Sequence, residues 1–248
     1  MMNKIKYLGL LLMIVLVSSC DLGLQETFDF QPEVDLTNPH GNKTAWGYIQ
    51  SATQLTEDGS FDGELFNFLE AAIIKADMVE LFNQTSTSDR TYLLLNNNAF
   101  TGRGDVIDII TGSQSTSITE DINGVPTTRQ ATAEEVMEGV DTPEKLEKLK
   151  RILNYHIVTS YVEQVPTLFE AEVWYTFQTL IPGEDGLIAF LRENRWRIFV
   201  NGKNRTNTPA SPLPETASNE YEAVRSHNYV FNNGVGHILA DPVRNKPY

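Results

Sequence analysis

The side chains of this chain able to do chemistry are a few histidines, scattered carboxylates and a set of aromatics. His156 and His237 come first, because an imidazole titrates near neutral pH and can ligate a metal. A histidine set among apolar residues is by default a core residue whose ring nitrogens are hydrogen-bonded. Asp105, Asp108, Glu134, Glu135 and Glu138 supply carboxylates but no fixed pair, and glycoside hydrolysis needs two carboxyl groups at a set separation. No Gly-x-Ser-x-Gly elbow, His-Glu-x-x-His helix or phosphate-binding glycine loop occurs. Gly102-x-Gly104 lacks the third glycine and the strand-to-helix setting that would give it meaning. The acidic loops lack the spaced Asp/Asn ladder with a terminal Glu that calcium requires. Catalytic residues, cofactor and metal are therefore all expected to be none.

Two further groups bear on binding. Arg103-Gly104-Asp105 spells a tripeptide that engages integrins when its Arg and Asp flank an exposed Gly turn; it is read as coincidence unless it sits on a loop tip. Trp174, Tyr175, Phe177, Trp196 and Phe199 could form a platform for sugar rings, or fill a core from alternating strand positions.

Cys20 is the single cysteine, so no disulfide can form within the chain. Before it, Lys4 and Lys6 form a positive end, Leu8 to Val17 an apolar run, and Ser18-Ser19 a small-residue pair. That order is the order of an export signal, and the apolar run is short for a bilayer span. The cysteine directly after the small pair resembles the lipobox of bacterial lipoproteins. The resemblance implies cleavage after Ser19 and acylation of Cys20 by several chains, which anchor stably where one does not. Residues 1–19 are thus expected to be the signal and residues 20–43 a lipidated tether, polar and broken by Pro32, Pro39 and Gly41. A folded domain is expected over 44–248. The formal net charge is −14, which repels phosphate backbones and excludes nucleic acid as a partner. It also leaves membrane attachment to the lipid.

The elements that must position these residues follow from periodicity. Trp46, Ile49 and Leu55 open a helical region that Gly59 and Gly63 interrupt. Leu65, Phe66, Leu69, Ala72, Ile73 and Ala76 are spaced for an amphipathic helix. Asp77 with Glu80 predicts a capping box for a second short helix. Tyr92 to Leu95 reads as a buried strand, Val106 to Ile110 as either a helix turn or a strand, and Asn123-Gly124 as a hairpin turn. Thr142 as N-cap and Pro143 at the first position start a helix through Leu146, Leu149, Ile152 and Leu153 that ends near Tyr155-His156. Strands are expected at Val173–Leu180, Trp196–Val200, Tyr229–Phe231 and Val235–Ala240, a turn at Asn201-Gly202, and a long surface loop over 206–227.

Four segments in this order resemble the fasciclin-type domain: Phe68 to Met78, Thr91 to Phe100, Leu149 to Val158 with its Tyr155-His156 pair, and Asn233 to Pro242 with Asn233, Gly234 and His237. Asn96-Asn97 replaces the family's Pro-Thr, so that turn should be built differently. Loops near 111–141 and 206–227 are longer than usual and are places for a specialised surface. The resemblance implies a single α+β domain, a β-wedge with helices beside it. It implies structural roles for His156 and His237, an adhesion role for Tyr155, although a Tyr after an amphipathic helix is more often a core residue, and an extracellular, mostly non-catalytic interaction function.

The expected function is a cell-surface lipoprotein of the outer membrane that binds a protein partner or ligand. By analogy with lipid-anchored members, it would be an accessory subunit of a starch-utilisation-like nutrient importer. Tyr155, Trp174 and Trp196 are the candidate contact residues. Two other readings stand beside it: a glycan-binding module with open aromatic faces, and a lipid-anchored hydrolase using acidic and histidine residues.

Overall fold

A computed structural model describes residues 40–53, 62–202, 212–214 and 222–243. Cys20, the export signal and the tether up to residue 39 lie outside the described residues, as do Leu55 and Gly59.

Helix α1 (Ala45–Ser51) starts where a hydroxyl can cap it: Thr44 Oγ1 accepts from the Gly47 N–H at 3.0 Å. Helix α2 (Asn67–Lys75) turns Phe68, Leu69, Ala72 and Ile73 into the core, as their spacing predicts. Helix α3 (Val79–Asn83) follows, but not from the expected capping box. Asp77 has φ 56°, and Met78 is the N-cap without a side-chain bond. Asp77 instead terminates α2. Its N–H donates to the Ile74 carbonyl and the Met78 N–H donates to that of Ile73, the paired bonds of a Schellman ending.

Strand β1 (Thr91–Leu95) is buried along its whole length. A short 3-10 turn over Asn97–Phe100 leads to α4 (Val106–Thr111), which settles the helix-or-strand alternative for Val106 to Ile110. Strands β2 (Ser117–Ile122) and β3 (Val125–Gln130) form the expected hairpin, with Asn123 and Gly124 both at positive φ in its two-residue turn. Helix α5 (Ala133–Glu138) carries a capping box between Thr132 and Glu135. Helix α6 (Pro143–Tyr155) opens as predicted, Thr142 accepting from the Lys145 N–H at 3.3 Å.

Beyond α6 come β4 (Ile157–Val158), β5 (Trp174–Gln178), β6 (Leu187–Arg192), β7 (Ile198–Val200), β8 (Glu222–Ala223), β9 (Ser226–Phe231) and β10 (Gly234–Leu239). They build two four-stranded sheets, ordered β4-β1-β10-β9 and β5-β6-β7-β8. β1 and β10 pair in parallel; every other pairing is antiparallel. A bridge between Val158 and Thr179 joins the sheets into a wedge. One hydrophobic cluster runs from α1 and α2 through β1 and α6 to β6 and β10. The chain is thus α+β, a β-wedge with helices packed beside it.

Three expectations need correction. β6 is absent from the sequence reading, yet it is the strand between β5 and β7 and almost wholly buried. The loop expected over 206–227 contains β8 and the start of β9, which complete the two sheets. Asn201, expected to do no more than turn the chain after Val200, is buried at φ 51°, and its side chain accepts from the Ala189 N–H at 2.9 Å and donates to Tyr155 Oη at 2.7 Å. Among the described residues, no helix is long and apolar enough to cross a membrane.

Candidate functional site

The residues that looked most chemical are structural ties. His156 is buried; its Nδ1 lies 2.8 Å from the Ile152 carbonyl and its Nε2 accepts from the Val243 N–H at 3.0 Å. That pattern requires the proton on Nδ1 and a neutral ring. His237 is buried too, with Nε2 2.7 Å from the Val162 carbonyl and Nδ1 accepting from the Asn228 N–H at 3.3 Å. Its proton is therefore on Nε2. Burial pushes both imidazoles down to about 4. At neutral pH neither ring has a lone pair to spare for a metal or an abstracted proton.

Asn233 is the third tie. Its Oδ1 accepts from the Ala45 N–H at 2.9 Å, while Nδ2 donates to the Phe82 carbonyl at 2.9 Å and to Tyr92 Oη at 3.1 Å. One buried amide thus fixes the start of α1, the end of α3 and β1 to the β9–β10 turn. Gly234 must follow it, because at φ 148° a Cβ would run into the Arg90 carbonyl.

Asn97 resolves the departure at Asn96-Asn97. Helix α2 has no cap from its own N-cap residue, Phe66. Asn97 caps it from across the fold: Oδ1 accepts from the Phe68 N–H at 3.1 Å, and Nδ2 donates to the Asp62 carbonyl and to Asn67 Oδ1.

Tyr155 is corrected as a contact residue. It is fully buried, its hydroxyl donating to the Leu187 carbonyl at 2.8 Å and accepting from Asn201, and burial raises its pKa. A partner cannot reach it. Trp174 is half-buried, with its indole where a Cβ on residue 202 would sit, so Gly202 is required there. The expected aromatic row does not form a platform. Phe199 is buried, Phe177 packs edge-on against Phe190 at 5.7 Å, and Tyr175 Oη accepts from the Glu170 N–H.

Trp196 is different. It is 57% exposed and sits in the turn between β6 and β7 at φ 71°, a left-handed conformation that a bulky side chain adopts only under strain. The turn is held by bonds from the Trp196 N–H to the Glu193 carbonyl and from the Glu193 N–H to that of Arg197. Beneath the indole lies the Arg192 guanidinium, 4.8 Å from the ring centroid. Arg192 is buried; its Nε donates to the Leu168 carbonyl at 2.8 Å and its Nη2 to that of Phe169. The Gln164 amide donates to the Trp196 carbonyl and lies 3.1 Å from His227 Nε2.

One buried cation therefore clamps the Trp196 turn to the 161–173 loop. That loop is itself pinned to the first sheet by His237 at Val162, by Thr91 Oγ1 accepting from the Val162 N–H, and by Asn228 Oδ1 accepting from the Gln164 N–H. The loop and the turn so joined carry four exposed apolar side chains, Val165, Phe169, Val173 and Trp196, with Phe169 at 72%. Arg195 and Arg197 of the same turn are exposed as well. Exposed large apolar side chains gathered around a held Trp and Arg have the composition of a binding surface. Of its members the sequence singled out only Trp196. The rest gave no signal, because the loop also holds Val162 and Leu168, which are buried, and the sequence does not tell exposed apolar residues from buried ones there.

The remaining candidates do not converge. Asp105 of the Arg103-Gly104-Asp105 tripeptide is buried at the start of α4, so the tripeptide is not displayed on a loop tip. Glu135 is bonded to Arg129, which also bonds Glu120 of β2 and so ties the hairpin to α5. That bonding holds the Glu135 carboxyl down to about 2. Among the described residues, no group of three or more His, Cys, Asp or Glu is placed to hold a metal.

No family model matches this chain, and no curated protein matches it. Among solved structures, it is similar to a fasciclin domain pair from the insect cell adhesion molecule fasciclin I. The TM-score is 0.43 at 12% sequence identity, over 82% of this chain and 51% of that one. This chain therefore spans about half the length of that domain pair.

Proposed function

We propose that this chain is a non-catalytic surface module of the fasciclin type. Cys20 anchors it by lipid to the outer membrane, and the patch around Trp196 and Phe169 binds a protein partner there. The observation that carries the reading is the exposure of Trp196 and Phe169: a tryptophan at positive φ, packed over a buried arginine, still leaves 57% of its surface open to solvent. A Trp with Arg at the centre of an apolar patch is the composition of an interface hot spot. The lipobox-like order ending at Cys20 supports anchoring, and a role as accessory subunit of a starch-utilisation-like importer extends that placement by analogy. The hydrolase reading has little support, because both histidines that would serve it are buried, neutral and fully bonded.

A photo-crosslinking residue at position 169 in the native membrane, followed by mild-detergent purification, tests the partner. One dominant crosslinked protein that disappears with Trp196→Ala is expected; the absence of any adduct would overturn the reading. Cys20→Ser should release a folded protein from the membrane fraction, and a serine variant that stays bound refutes the anchor. A glycan-binding reading draws on the same exposed indole. It predicts that neutral oligosaccharides quench Trp196 fluorescence without a protein partner present.

A further inference from the structure

The hairpin of β2 and β3 belongs to neither four-stranded sheet, and most of its residues are exposed. Arg129 holds it to α5 through Glu135. Its register fixes which backbone groups face solvent. A hairpin turned on two residues closes on a doubly hydrogen-bonded pair, here Ile122 with Val125. Every second pair from there aims its N–H and C=O groups outward. Pro126, opposite Asp121, falls in the first outward pair, where a missing N–H costs the ladder nothing. At the far end the Ala131 N–H donates to the Thr116 carbonyl at 2.8 Å, in the same phase.

The outward residues are therefore Ser117, Thr119 and Asp121 on β2, and Pro126, Thr128 and Gln130 on β3. The two edges are not alike. The β3 edge is blunted, because Pro126 has no donor and the Gln130 carbonyl accepts from the Arg129 guanidinium at 3.0 Å. On β2, Ser115 Oγ holds both groups of Ser117: it accepts from the N–H at 3.3 Å and donates to the carbonyl at 3.2 Å. Thr119 and Asp121 keep both groups open, since among the described residues no bond reaches their outward N–H and C=O. They present two donors and two acceptors in line, with the two residues about 7 Å apart along the strand.

The side chains beside that edge decide what fits it. Ile118, Glu120 and Ile122 share one face of β2 with Val125 across from Ile122, and Ile122 and Val125 are 49% and 61% exposed. From Ser117 to Glu138 the chain carries five acids and one arginine, a net charge of −4. A second copy is a poor occupant. The antiparallel register that would use every open group of both copies sets Glu120 against Glu120, and like charges directly opposite weaken a strand pair. We infer that the β2 edge receives an extended segment of a partner protein, added as a third strand through Thr119 and Asp121. That segment carries a basic residue beside Glu120 and apolar residues beside Ile118 and Ile122. The site does not depend on the Trp196 reading.

Amide exchange read residue by residue by NMR, on the full chain in detergent, tests it. The probe is an end-capped peptide with valine and threonine at alternate positions and lysine replacing the central valine; a second peptide carries glutamate there. Without peptide, Thr119 and Asp121 should exchange fast, and Ile118 and Glu120 slowly. The lysine peptide should slow Thr119 and Asp121, and it should bind at least about tenfold more tightly than the glutamate peptide. Thr119→Pro removes an outward donor without touching an inner bond, and should weaken binding at least about tenfold. Thr128→Pro, the matching change on β3, should bind as the wild type does. Glu120→Lys should reverse the preference between the two peptides. No slowing at Thr119 with millimolar peptide, or equal affinity for both peptides, would overturn the inference. So would an unchanged affinity in a Thr119→Pro variant whose Glu120 amide stays slow. Slow exchange at Thr119 without peptide that speeds up on dilution would give the edge to a second copy, and that too would overturn it.

Discussion

Two buried neutral histidines make the stability of this domain depend on pH in a way that can be calculated. His156 and His237 have folded-state values near 4, against an ordinary 6.5. The unfolded chain therefore binds protons that the folded chain refuses as pH falls below 6.5. Stability rises with pH wherever the unfolded state holds more protons, so acid must cost stability here. Between pH 7 and pH 5 the linkage relation gives a loss of about 2 kcal/mol for each histidine, or roughly 4 kcal/mol for the pair. The loss levels off below about pH 4, where both states are protonated.

Urea unfolding at pH 7 and pH 5 measures it. The control is a double variant, His156→Asn and His237→Gln, which keeps a donor at the position of each bonded ring nitrogen but cannot titrate. It should be less stable at pH 7, because each ring also accepts a backbone N–H. Its loss between the two pH values should fall below about 1 kcal/mol. A wild type that loses less than about 1 kcal/mol, or a double variant that loses as much as the wild type, would falsify the assignment of these rings as buried, neutral ties.

Three other outcomes follow from geometry. Asn233→Ala should cost about 3 kcal/mol or more in urea unfolding, because it strands the buried Ala45 N–H and Phe82 carbonyl together; a loss under 1 kcal/mol would contradict the tie. Asn97→Ala should cost about 1–2 kcal/mol as the loss of a helix cap. Its mark should be faster amide exchange at Phe68 than at Ile73, and uniform protection along α2 would count against it. Arg129→Ala should speed amide exchange across β2 and β3 while leaving β1 and β10 protected; an unchanged hairpin means that Arg129 does not hold it.

The legible parts of this fold were those with a local cause. Thr142 and Pro143 start α6, Asn123-Gly124 turns the hairpin, and the apolar run at Tyr92 marks β1, each within a few residues of sequence. The illegible parts depend on partners far along the chain. Asp77 followed by Glu80 has the spacing of a helix start, and only the placement of α2 turns Asp77 into a helix end. Leu187 to Arg192 has no alternation to mark it as a strand, because both of its faces are covered. Trp196 was visible as a residue but not as a site, since its presentation rests on Arg192, Gln164 and Phe169, and their meeting is a product of the tertiary fold. Asn97 was recognised as a departure from a family pattern, yet its role as a cap 29 residues away from its acceptor's partner, Phe68, could not be read from its neighbours.

The pairing of β1 with β10 sets the order of events in folding. Thr91 lies beside Val235 and Leu95 beside Leu239, so a central pair of the first sheet joins segments separated by most of the domain. Contacts of such long sequence separation close late and slow the search for the native state. Until β10 arrives, β1 has an unpaired apolar edge, the kind that invites pairing between chains. A nascent chain halted before Gly234 holds every helix described here and all four strands of the second sheet, yet its first sheet lacks the strand that joins β1 to β9. In such a chain the apolar edge of β1 stays open until β10 is delivered.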